Sequence, residues 1–146
     1  MGDERLRIFA RVFLCSSGAS AEELKRLVSA ANPGSLVQAV RVKLARNERF
    51  VELLATQTLQ ARSSGGLLAK KQEIDFLLRL AGTTQISRAI RDAGARRGEP
   101  FALVVAGESD VKLPAGFDKQ ELPSRELTDS ELGKIEKAAL LAAKRA

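Results

Sequence analysis

The side chains best placed for chemistry in this sequence are cations. Lys70 and Lys71 stand side by side, Arg88 and Arg91 lie three apart, and Arg96 and Arg97 follow. At that spacing Arg88 and Arg91 share one helix face, and a patch built from these residues would grip phosphates. With few aromatics beside it, such a patch would hold a nucleic-acid backbone or end rather than stack bases. The same spacing also describes a solvated helix face, and spacing alone favours the solvated face.

Other chemistries lack their residues. The 146-residue chain has no His, no Trp, no Tyr and a single Cys. Without His there is no Ser-His-Asp triad, no Cys-His dyad and no HExxH zinc site. Cys15 alone permits neither an internal disulfide nor a thiolate cluster, and it reads as a small core residue in a reducing, intracellular setting. Gly65-Gly66 is too short for a P-loop. Glu73 and Asp75, two apart on a helix, diverge and make a poor acid/base pair. The residues therefore lead to an expectation of no catalytic group, no metal and no cofactor.

Charge distribution sharpens the first reading. The net charge is +6. Residues 46–98 carry ten Lys/Arg against five Asp/Glu, whereas residues 99–146 carry seven against nine. A basic middle third suits a polyanion such as RNA. No run approaches the ~20 apolar residues of a membrane span. MGDERLRIF has no signal-peptide core, and Gly2 lacks the context of a lipidation signal. A cytoplasmic protein with no membrane partner is the expectation.

The elements that must position these cations follow from periodicity. Alternation over about Leu6–Cys15 predicts a half-buried strand. A capping box of Ser20 and Glu23 opens a helix over about 21–31, stopped by Asn32-Pro33-Gly34. Alternation resumes over Leu36–Leu44 as a second strand. Asn47 caps a helix over about 48–62, and Leu67-Leu68 is a very short strand or a buried connection. From Gln72, the residues Ile74, Leu77, Leu78 and Ala81 form one helical face, with Glu73, Asp75 and Arg79 off it. Gly82 breaks that helix, and Thr83 or Thr84 caps the next, which carries Ile86, Ala89, Ile90 and Ala93. Gly94 reads as its left-handed C-terminal stop. Phe101–Ala106 is a buried strand, and 107–127, with Pro114 and Pro123, an irregular linker. Thr128 and Glu131 cap a last helix ending at Lys144-Arg145. The fold class is α+β: one domain over 1–146, with a small, mostly antiparallel sheet packed against several helices.

One segment is more specific than its periodicity. Glu73-Ile74-Asp75-Phe76-Leu77-Leu78-Arg79-Leu80-Ala81-Gly82-Thr83-Thr84-Gln85-Ile86, continuing through Ala89-Ile90 to Gly94, resembles the core of the small PRPK-binding (TPRKB-type) subunit of the KEOPS complex. That core reads E-x-L-L-x-L-x-G-T-R-Q-I-x-x-A-I-x-x-x-G, and G-T-x-Q-I at a helix junction is its discriminating part. Thr84 stands at the usual Arg, and the upstream helix lacks the His that relatives often carry. The resemblance implies a non-catalytic subunit. Such a subunit docks on the complex's kinase-like ATPase subunit, stimulates it, and helps recruit tRNA by its 3′ CCA end for threonylcarbamoyl-adenosine modification. Gln85, Arg88 and Arg91, with Lys70 and Lys71 of the basic patch, are the candidate RNA contacts. Leu132, Ile135 and Leu140, with exposed apolar residues of the 74–90 helix pair, are candidates for the kinase interface, unless they face the core. The competing readings are a stand-alone basic nucleic-acid-binding module and a small enzyme using Asp, Glu or Lys.

Overall fold

The computed structural model describes residues 7–15, 20–113, 120–121 and 126–145. The chain runs β1 (Phe9–Cys15), α1 (Ala21–Ala31), β2 (Leu36–Arg41), a 3-10 turn (Val42–Leu44), α2 (Glu48–Ser64), α3 (Gln72–Ala81) and α4 (Ile86–Ala93). It continues through β3 (Phe101–Gly107), β4 (Gln120–Glu121) and α5 (Asp129–Arg145). The strands form one antiparallel sheet in the order β2-β3-β1-β4. This is the α+β architecture that the periodicity predicts.

β3 is buried along its whole length, because the sheet is covered on both faces and β3 lies between two neighbours. Its even positions, Ala102, Val104 and Ala106, share a core with Val12, Leu36 and Val40 and with α2 to α5. Its odd positions, Phe101, Leu103 and Val105, join Phe13, Val37 and Val28 of α1. A strand with two apolar faces reads as a continuous apolar run, as Phe101–Ala106 does. Two-sided cover also makes β1 more buried than half. Its start differs too: Arg7 and Ile8 precede the strand, and Leu6 lies outside the described residues.

Several boundaries differ from the periodic reading. β2 ends at Arg41, because Arg41 pairs with Phe101, the first residue of β3, and Pro100 before it has no N–H to offer. Residues 42–44 coil instead, closed by the Ala45 N–H on the Val42 carbonyl at 2.9 Å. Leu68 is a buried connection whose N–H donates to Asp75 Oδ2 at 2.8 Å. Within the expected linker, Gln120–Glu121 pair with β1, a strand too short to carry a period-two signal. The same stretch is pinned at Lys112, whose backbone N–H and C=O each bond the Asn32 side chain at 2.7 Å.

The capping signals locate helix ends well. Thr128 and Glu131 bond reciprocally, N–H to side chain in both directions, at 2.9 and 3.1 Å. Ser20 Oγ accepts from the Glu23 N–H at 3.2 Å, and Asn47 Oδ1 accepts from Arg49 N–H.

Cys15 sits in the core beside Val28 and Phe101, and burial pushes its thiol up to about 11. At pH 8 only about a thousandth of it is thiolate. We expect iodoacetamide to leave the folded chain unmodified at pH 8 and to alkylate it fully in guanidinium, read by intact mass. Modification of the folded chain at the rate of a free thiol would contradict this burial.

Candidate functional site

The cations stand on a helix pair that folds back on itself. Gly82 ends α3 in the left-handed region (φ 73°), with its own N–H and that of Thr83 on the Leu78 carbonyl. The chain reverses through Thr83, whose Oγ1 accepts from the Gln85 N–H at 3.1 Å. α4 therefore starts at Ile86 with Gln85 as N-cap, later than a Thr cap would place it. The far ends of both helices are tied to adjacent β2 residues. Gln38 Nε2 donates to the Glu73 carbonyl at 3.2 Å, and Ala95 N–H donates to Ala39 O at 3.2 Å.

Gly94 belongs to this closure. It is extended (φ −67°, ψ 151°), not left-handed, and it bridges Val40. A Cβ there would lie 2.6 Å from the Ile90 carbonyl oxygen, so glycine is needed for close approach rather than for αL geometry.

The fold-back sorts the predicted RNA residues. Lys70 and Lys71 stand at the β2 end with Arg91, Gln85 stands at the Gly82 end, and Arg88 lies between; all five are exposed. Lys71 is the N-cap of α3 and makes no side-chain cap bond. A cation at that positive helix end works against the dipole by a few tenths of a kcal/mol, so the fold gains nothing from its charge. Arg88 and Arg91 share one partner, Asp92, at 3.9 and 3.1 Å.

The predicted partner residues divide. Leu132 and Leu140 are 44% and 59% exposed, whereas Ile135 packs against the core and its carbonyl accepts from Gln57 Nε2 at 3.2 Å. On α4, Ile86 and Ile90 are about half exposed, because Ala89 and Ala93 make the buried contacts. In the sequence these two isoleucines are part of the helix's apolar stripe, and only the small size of its alanines hints that the stripe is split.

The helix periodicity misplaces one pair. Asp75 and Arg79, off the apolar face of α3, are 0% and 2% exposed in side chain and bond at 2.7 and 3.2 Å. Asp75 also accepts from Thr58 Oγ1 and from Leu68 N–H, and Arg79 donates to Gln57 Oε1. α3 is covered all round, by α2, α4, α5 and β2, so its polar face has to be satisfied internally. This cluster is structural, with its donors and acceptors committed to the fold.

A cavity of about 260 Å³ opens where the end of β2, the end of α3 and α5 converge, with Arg41, Lys43, Lys134 and Lys137 on its walls. Nothing in the linear pattern gathers these four.

Fold and site together define, among the described residues, a small α+β domain that presents an exposed face of α4. Among known proteins, the chain is 33% identical over 102 residues to KEOPS complex subunit Cgi121 of Pyrococcus abyssi (strain GE5 / Orsay). The match takes in 70% of this chain and 56% of the relative, so the chain spans about half the length of the curated relative it matches. No family model matches. The likeness drawn from the G-T-x-Q-I junction is thereby supported: the chain is similar to a Cgi121-type KEOPS subunit.

Proposed function

We propose that this chain is a non-catalytic, cytoplasmic KEOPS subunit. It docks on the kinase-like ATPase subunit, stimulates it, and helps recruit tRNA by its 3′ CCA end for threonylcarbamoyl-adenosine modification. The kinship with a KEOPS subunit carries this reading. The exposed α4 face supports it, since Ile86 and Ile90 offer apolar area to a protein while Arg88 and Arg91 offer charge to phosphates. The absence of His, with Cys15 buried and Asp75 bonded on all sides, favours a role in assembly over a role in turnover.

Two binding measurements test it. Pull-down with a cognate KEOPS kinase-like subunit is expected to retain the chain, and Ile86→Asp/Ile90→Asp is expected to release it. No retention would remove the docking role. Titration with tRNA is expected to give weaker binding once the CCA terminus is removed. Equal affinity for both tRNAs, together with no kinase binding, would favour a stand-alone nucleic-acid-binding module instead.

A further inference from the structure

We infer that the cavity between β2, α3 and α5 is an anion pocket that takes a phosphate ester, the phosphate on its cations and the sugar on its apolar surface. It adjoins the Lys70–Arg91 patch at Asp92 and does not rest on the KEOPS reading. Four cations from two distant segments line it: Arg41 and Lys43 at the end of β2 and in the 3-10 turn that follows, Lys134 and Lys137 on α5. Among the described residues none of the four forms an ion pair. Asp92 is the one carboxylate in the lining, and Arg88 and Arg91 already engage it from outside the cavity.

The end of α3 explains part of this gathering but cannot neutralise it. A helix C-terminus carries roughly half a negative charge, against a lining excess of three positive charges. Like charges brought together without partners repel, so the fold holds an unspent field that a dianion would relieve. The space is shaped for it. Gly82 has no side chain, and the Lys137 stem lies over it, with Nζ 3.4 Å and Cε 3.5 Å from where a Cβ would stand. Leu44, Leu80 and Ala81 add apolar surface to the lining. At about 260 Å³, the cavity exceeds what a bare phosphate needs and is small for a dinucleotide.

The test is a titration of the full chain followed by amide NMR, with AMP, inorganic phosphate and an oligonucleotide without terminal phosphates as separate ligands. AMP is expected to shift the Lys43, Gly82 and Lys134 amides saturably and to bind more tightly than inorganic phosphate. Each of Lys43→Ala and Lys134→Ala is expected to weaken AMP about tenfold, the loss of one charge-assisted contact. Both lysines are exposed, so the variants keep the fold, which unchanged remote amides verify. Saturable shifts from the oligonucleotide assign the phosphate to a nucleic-acid backbone, and shifts from AMP alone assign it to a free nucleotide. The proposal is overturned if neither AMP nor the oligonucleotide shifts these amides, if Lys43→Ala/Lys134→Ala binds AMP as the parent does, or if inorganic phosphate binds as tightly as AMP. Kinase pull-down is indifferent to all of these outcomes.

Discussion

Replacing Arg79 by Ala is expected to remove about 3–5 kcal/mol of folding stability, because it strands a buried carboxylate. Asp75 is fully buried, and its two oxygens receive Arg79, Thr58 and the Leu68 N–H. Without the guanidinium the charge has no counterion, and the Gln57 amide also loses its donor. For a chain of this length the loss corresponds to a melting temperature lower by roughly 10 °C. Circular dichroism in urea measures it, since there is no Trp or Tyr to follow by fluorescence. Arg79→Met/Asp75→Asn is expected to recover most of the loss. Asn carries no charge, yet its carbonyl can still accept from Leu68. Equal stability of Arg79→Ala and the parent, within about 1 kcal/mol, would mean the pair is not what closes this core.

Reversing both arginines, Arg88→Glu/Arg91→Glu, is expected to weaken tRNA binding by about a hundredfold near physiological salt. It should also flatten the salt slope by about two. Both side chains are more than half exposed, at 58% and 67%, so the fold should tolerate the change. Asp92 currently holds both of them, and Asp92→Asn is expected to strengthen tRNA binding severalfold by releasing them. Affinity measured across a salt series decides. If neither variant changes affinity or slope, α4 presents only a solvated face to tRNA.

How far the sequence could be read depended on whether a feature was local. Capping at Ser20, Asn47 and Thr128 is decided within four residues, and the structure places those helix starts where the side chains point. The Gly82 break is likewise local. The end of β2 is not, since it depends on where β3 begins, sixty residues later. Gly94 has the composition of a helix stop, but its conformation is set by Val40 across the fold. Asp75 and Arg79 were legible as polar positions on α3. That this polar face would be covered, by Thr58 of α2 among others, was not. The basic cavity was hidden most completely. Dividing the charge by thirds credits the middle of the chain, while the cavity draws two cations from the first third and two from the last.

The strand order has a consequence for how the protein comes into being. β2 pairs with β3 alone, and β1 with β3 and β4, so β1 and β2 never meet. A chain leaving the ribosome carries two apolar strands with no partner until Phe101–Gly107 has emerged. Sheet formation thus waits on contacts far apart in sequence, which slows folding and leaves strand edges open meanwhile. Until then β1 and β2 stand as unpaired apolar edges, and only a chain whose Phe101–Gly107 segment has emerged can close the sheet between them.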